Sequence, residues 1–242
     1  MTQNIYDDAS FFQAYAELPR SILGLEGAPE WSALRAMLPA IRDRDVLDLG
    51  CGYGWFCRWA RQSGAAQVTG IDVSQRMLAR ARAMTNDAAV TYVRADLETI
   101  GLKRQAYALV YSALAFHYLK NLEALFREIH AALAAGGRLV FSVEHPIFTA
   151  PFHPGWIERG AGHRVWPVEG YLSEGERQTD WLAQGVIKQH RTIGTYVDLL
   201  LRQGFRLAHL LEWGPSVEQI AVEPTLAIER QRPAFLLIAA EK

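Results

Sequence analysis

Cysteine is scarce in this chain. There are two, Cys51 and Cys57, six residues apart. They are too close to staple a chain of this length, and no CxxC or Cys/His cluster accompanies them, so reduced thiols and a cytoplasmic address are expected and a thiol-based metal site is not. Charge of one sign is also missing: 25 basic residues face 26 acidic ones. No basic run or stripe stands out, which argues against binding nucleic acid by phosphate neutralisation. No uninterrupted apolar run reaches the roughly 18 residues that a membrane span requires. The first dozen residues are polar and acidic, with Asp7 and Asp8, and lack the basic and then apolar regions of a secretory signal. Internal repeats and low-complexity tracts are absent, and a 50% apolar composition makes disorder unlikely as a class.

What is present is length and rhythm. At about 150 residues per domain, 242 residues give one domain and a surplus. Residues 1–44 read as helical and irregular; Trp31, Leu34 and Leu38 have helical spacing and Pro39 closes the run. From Asp45 strands and helices alternate. Val46–Leu49, Val68–Ile71, Val90–Arg94, Ala106–Ser112 and Arg138–Val143 read as strands. Residues 55–63, the run from Ser74 to about Ala83, and 121–134 read as helices. This alternation predicts an α/β fold with a doubly wound, mostly parallel sheet and helices on both faces. The ligand should lie beyond the carboxyl ends of the strands. The rhythm breaks over 145–186, which hold four prolines, six glycines and three of the seven tryptophans. A structureless loop of that length is improbable in a compact domain, so 145–186 reads as an insertion with local structure. The pattern resumes with a helix over Thr192–Gln203, a Gly204 cap, and strands at Phe205–Leu211 and Ala234–Ala240.

The chemistry gathers at the first strand end, Asp48-Leu49-Gly50-Cys51-Gly52-Tyr53-Gly54. Glycines there allow a tight turn and let a ligand touch the backbone, and the next helix starts with free N–H groups. Asp72 closes the second strand, 20 residues past Gly52, where an acid can accept ribose hydroxyls. A nicotinamide dinucleotide needs G-x-G-x-x-G, but position 55 is Trp55, and Asp48 is a poor neighbour for a diphosphate. A cofactor with a cationic amino-acid end suits that charge better.

The run Val46–Gly54 resembles motif I of the class I S-adenosylmethionine-dependent methyltransferases. Ile71-Asp72-Val73-Ser74, Arg94-Ala95-Asp96-Leu97 and Leu133–Leu139 resemble the family's following motifs, in order, over residues 45–144. The type 11 branch is the most similar, and His190–Tyr196 with Gly204-Phe205 resemble that branch's return to the core. The resemblance implies a seven-stranded Rossmann-like αβα domain of one unit. It comprises an N-terminal cover (1–44), a core (45–144 and 187–242) and a substrate-side insertion (145–186). It implies S-adenosylmethionine as cofactor and S-adenosylhomocysteine as product. Gly50 and Gly52, flanked by Asp48 and Cys51, would approach the methionine portion. Asp72 would hold the ribose, Asp96 and Leu97 the adenine, and Ser112 and Ala113 would face the sulfonium. Met77 and Val73 would cover the adenine or pack in the core. Tyr6, Phe12, Tyr15 and Arg20 would fold over the cofactor.

Transfer to a small-molecule acceptor by in-line displacement needs mainly alignment, worth about 7–11 kcal/mol for well-oriented reactants. A base adds about 10²–10⁴-fold where the acceptor loses a proton. Candidates are Glu144 and His145 at the end of the fifth strand and His117 after the fourth; the alternative for either histidine is local packing. Trp156, Trp166 and Trp181 would line an acceptor pocket or form the insertion's own small core. His190 and Arg191 would bind a substrate anion or cap the resumed helix. The long, irregular spacing of the insertion's histidines predicts no metal site. A monomer or homodimer without nucleic-acid or membrane partners is expected. A cofactor-binding regulatory module without transfer activity is the leading alternative, ahead of an NAD(P)-dependent oxidoreductase.

Overall fold

A computed structural model describes residues 3–242. Three short helices open it: α1 (Ala9–Ala16), α2 (Pro19–Ile22) and α3 (Trp31–Met37). The alternating region then runs β1 (Asp45–Leu49), α4 (Trp55–Gln62), β2 (Gln67–Asp72), α5 (Gln75–Ala83), β3 (Val90–Arg94), β4 (Tyr107–Ala113), α6 (Leu122–Ala132) and β5 (Leu133–Glu144). Side-chain caps fix the helix starts: Ser74 accepts the Met77 N–H of α5, and Asn121 accepts the Ala124 N–H of α6. Helix α6 stops two residues before the expected position 134, and β5 starts at once. Its pairing with β4 shifts between Tyr107 and Leu109, and Gly136, at φ 72°, sits in that irregularity.

Past β5 come α7 (Pro146–Thr149), the two-residue strands β6 (Ile157–Glu158) and β7 (Arg164–Val165), and a hairpin of β8 (Gly175–Trp181) and β9 (Ala183–His190). The stretch expected as an insertion therefore carries two small antiparallel sheets, and the second continues to His190, beyond the expected boundary at 186. The chain closes with α8 (Ile193–Arg202), β10 (Arg206–Trp213), α9 (Val217–Val222), a 3₁₀ turn at Pro224–Arg230 and β11 (Phe235–Glu241). No helix among the described residues is long and apolar enough to cross a membrane.

The main sheet has seven strands in the order β10-β11-β5-β4-β1-β2-β3. β11 is antiparallel to both neighbours, and the pairs between β5 and β3 are parallel. Strand alternation sends Leu47, Leu49, Val110 and Phe141 to one face, against α6 and α8. It sends Val46, Val68, Tyr111 and Val140 to the other, against α3, α4 and α5. This is the three-layer αβα arrangement. Two registers position the carboxyl edge of the sheet. Asp48 lies opposite Gly70, bringing the ends of β1 and β2 level. Glu144 lies opposite Phe235, placing the start of β11 beside the carboxyl end of β5.

Candidate active site

A cavity of about 380 Å³ opens along the carboxyl edge of the sheet. One half is built by the glycine loop and the ends of β1, β2 and β3. Gly50, Gly52 and Gly54 all have positive φ (77°, 50° and 70°), a conformation that L side chains rarely adopt. At Gly50 a Cβ would lie 2.5 Å from the Ala115 Cβ, whereas at Gly52 it would project into open space. Gly52 thus presents bare backbone to the cavity. Asp72 braces the loop: Oδ2 accepts the Gly52 N–H at 2.9 Å and Oδ1 the Ser74 N–H at 2.9 Å. Burial pushes the Asp72 carboxyl up, opposed by these two N–H groups. Val73, Met77, Asp96, Leu97 and Ala113 complete this half. A carboxylate beside exposed loop backbone, with apolar walls, suits a nucleoside with a free ribose diol.

Other residues expected at the cofactor lie behind this surface. Ser112 is fully buried and donates to the Leu49 carbonyl at 2.7 Å, tying β4 to β1; Ala113 takes the cavity position instead. Asp48 and Cys51 line a smaller adjoining space of about 100 Å³, which shares Tyr15, Arg20, Gly50, Gly52 and Ala113 with the main cavity. Asp48 accepts the Cys57 thiol at 3.3 Å, and burial pushes its carboxyl up to about 7. Both cysteines are free and buried.

The N-terminal cover reaches the cavity through Gln3, Tyr6, Tyr15 and Arg20; Phe12 packs instead on Tyr53. The cover is fastened at several places. Asp7 accepts Ser74 Oγ at 2.6 Å and the Arg76 N–H at 3.1 Å, and the Gln3 side chain bridges to Gly185 and Ile187 of the insertion hairpin. Arg20 pairs with the buried Glu30.

The other half of the cavity comes from distant segments. It is walled by His117 and Tyr118 after β4, Glu144 at the end of β5, Phe148, Trp181, and the β10–β11 connection. Tyr6 and Tyr118 share a hydroxyl contact at 3.3 Å, and burial raises both phenols. Glu144 Oε1 accepts from Lys188 Nζ at 2.6 Å, deep in the protein, while buried Oε2 has no partner. His117 Nδ1 accepts the Glu144 N–H at 3.4 Å, which makes Nε2 the protonated nitrogen of the neutral ring. Burial pushes His117 down to about 4. The ring is therefore neutral near pH 7, and a donor rather than a base on its Nε2 side.

Several expectations are corrected by this geometry. His145 is fully buried away from the cavity, with Nε2 on Glu212 at 3.0 Å and Nδ1 accepting the Ile147 N–H. Burial pushes it down to about 4, and both nitrogens are engaged, so no lone pair faces a substrate. His190 is likewise consumed, Nδ1 by Thr149 and Nε2 by the Tyr171 carbonyl. Arg191 donates to the Leu119 and Lys120 carbonyls and holds the turn after β4. Trp181 reaches the cavity, but Trp156 and Trp166 pack against each other one layer back, with Trp166 stacked on Phe148. Among the described residues no cluster suits a metal ion.

The sequence reading missed Phe148, Lys188, Trp213, Leu226, Glu229, Arg232 and Phe235. The one signal for Trp213, Leu226, Glu229 and Arg232 was the unassigned stretch between the last two predicted strands. Its length is hard to reconcile with a plain connection in a compact domain.

Similarity to known proteins agrees with this architecture. Residues 47–141 match a family model described as a methyltransferase domain. An S-adenosylmethionine-dependent methyltransferase from Mesorhizobium loti superposes with a TM-score of 0.88 at 52% identity, over 90% of this chain and all of that one. An uncharacterized protein of Haemophilus influenzae is 29% identical over 99% of this chain and 97% of its own length. A malonyl-[acyl-carrier protein] O-methyltransferase of Enterobacter lignolyticus is 43% identical, but over 46% of this chain and 43% of its own length. The chain belongs to the S-adenosylmethionine-dependent methyltransferases, in the type 11 branch, and S-adenosylmethionine is its cofactor.

Proposed function

We propose that this enzyme methylates a small-molecule acceptor held between Tyr6, Tyr118, Glu144 and Phe148. The observation that carries this reading is the continuity of one cavity from Gly52 and Asp72 to Glu144. The cofactor, when bound, supplies an electrophilic methyl on a sulfonium whose departure leaves a neutral thioether. Asp72 would hold the ribose hydroxyls, Asp96 and Leu97 the adenine, and the Gly50–Gly52 backbone the amino-acid end. Arg20 and the aromatic cover would exclude water.

On the acceptor side, Glu144 Oε2 has free lone pairs and no protein partner. It takes the proton of an acceptor O–H or N–H as the new bond to the methyl carbon forms. The Lys188 contact at Oε1 fixes the orientation of the carboxylate. His117, neutral, orients Glu144 through its backbone N–H. Orientation dominates the acceleration, and proton removal adds to it. The malonyl relative's alignment falls short of half of this chain, so its acceptor does not transfer with it. The near balance of charge in the insertion, and two unpaired thiols, support a cytoplasmic enzyme of small metabolites rather than of nucleic acid.

The test incubates the protein with methyl-labelled S-adenosylmethionine and the small-molecule fraction of a bacterial lysate. Label should pass to a small molecule. Glu144→Gln should slow that transfer by about 10²–10⁴-fold while S-adenosylhomocysteine affinity stays within about twofold. Label found exclusively on macromolecules, or an unaffected Glu144→Gln rate, would contradict the reading.

A further inference from the structure

Three arginines are buried in or beside the insertion; Arg191 lies outside the cavity and holds the turn after β4 through Nη2, with Nη1 unpartnered, and the other two, Arg177 and Arg232, differ in how fully they are used. Arg177, 4% exposed, lies over Phe152 and spends every nitrogen on backbone carbonyls: Nε on Ala150, Nη1 on Glu176, Nη2 on Gly170 and Ser173. That is what a structural guanidinium looks like, since buried donors are almost always satisfied. Arg232, 6% exposed, lies against Phe148, Trp166 and Trp156 at 4.4, 4.3 and 5.3 Å, yet is under-used. Its nitrogens make one long hydrogen bond, from Nη2 to Glu229 Oε1 at 3.4 Å; Nη1 is 2.9 Å from Glu229 Oε2 without hydrogen-bond geometry, and Nε has no partner. Arg177 is outside the cavity, whereas Arg232 lines it.

We propose that Arg232 anchors a carboxylate carried by the methyl acceptor. The proposal rests on the transferase reading of the cavity and adds the acceptor's chemical class. Glu229 occupies the terminal edge of the guanidinium, the edge of Nη1 and Nη2. The Nε–H and the second Nη2 hydrogen form the lateral edge, the parallel pair that a carboxylate accepts in two hydrogen bonds. Nε is buried, so engaging a ligand through this edge would take a turn of the guanidinium toward the cavity. Burial pushes the guanidinium down, with Glu229 and Glu144 opposing, so a further anion meets a cation that lacks solvation. Two donated hydrogen bonds also withdraw electron density from the carboxylate oxygens. The gripped carboxylate is accordingly an anchor, and the methylated atom is a separate O–H or N–H beside Glu144.

The test titrates the full-length protein, saturated with S-adenosylhomocysteine, with octanoate and octanamide by calorimetry. Octanoate should bind about 10–100-fold tighter, the effect of a charge-assisted pair. Arg232→Gln should abolish the preference with S-adenosylhomocysteine affinity unchanged. Arg232→Lys, which keeps the charge without the fork, should retain part of it, and it carries the comparison if Arg232→Gln does not fold. Equal binding of the two probes, including no measurable binding of either at about 10 mM, overturns the proposal. So does a preference that survives in Arg232→Gln. Failure of the wild-type protein to bind S-adenosylhomocysteine is a different result, seen before any carboxylate is added, and brings down the transferase reading itself.

Discussion

The two halves of the cavity are built in opposite ways. The cofactor half comes mostly from one stretch, from Gly50 to Leu97, joined by Ala113 at the end of β4; Gly52 follows β1, Asp72 ends β2 and Asp96 follows β3. Its groups are held by contacts within that stretch, such as Asp72 bonded to Gly52 and Ser74. The acceptor half is drawn from five separated places: the N-terminal cover, the turn after β4, the end of β5, the insertion hairpin and the β10–β11 connection. Its key pairs span the chain, Tyr6 with Tyr118 and Glu144 with Lys188. A parallel sheet brings its loops to one edge whatever those loops contain. The first half can therefore stay constant while the second is rebuilt for a new acceptor. The malonyl-[acyl-carrier protein] relative aligns with under half of the chain, whereas the Mesorhizobium loti protein covers 90% of it.

The sharpest way to break the comparison is Asp72→Ala. Asp72 braces Gly52 and is the proposed acceptor of the ribose hydroxyls, so its removal should weaken S-adenosylhomocysteine by about 10²–10³-fold, measured by calorimetry. An unchanged affinity would deny the cofactor half its defining residue. Glu144→Gln is the mirror experiment, costing turnover while sparing the cofactor, so the two substitutions should separate cleanly. A variant that lost both properties would show that the halves are not independent.

A smaller effect concerns Asp48. Its folded-state pKa is raised from 3.8 to about 7 by burial. The folded protein then binds this proton more tightly than the unfolded chain, so the group's contribution to stability is present below pH 4 and declines as pH rises towards 7. Asp48→Asn, which keeps an acceptor for the Cys57 thiol, should remove that decline. Chemical denaturation of the cofactor-free protein at pH 5 and at pH 8 measures it, with the variant gaining stability over wild type at the higher pH. A gap between variant and wild type that does not widen with pH would mean that Asp48 is ionised without penalty.

Legibility followed the same division. The parallel core was readable because strand-and-helix periodicity and the glycine loop are local signals; Gly52 and Asp72 lie at the strand ends those signals singled out, and Asp96, expected from the family resemblance, lines the same cavity. Ser112 and Ala113 show its resolution: the strand end was found, but which of two neighbours faces the cavity depends on the pleat. His145 and His190 were chosen by position and residue type. Their occupation by Glu212, Thr149 and Tyr171 depends on partners 19 to 67 residues away. Arg232 and Glu229 gave no motif at all, because their place in the cavity follows from the pairing of β11 with β5, a tertiary fact.

The most direct test is a crystal structure of the protein with S-adenosylhomocysteine. The ribose hydroxyls should lie within about 3 Å of the Asp72 carboxylate, and the sulfur should point into the space bounded by Tyr118, Glu144 and Phe148. A product bound with its sulfur turned away from Glu144, or with its ribose out of reach of Asp72, would contradict the division of the cavity into a cofactor half and an acceptor half.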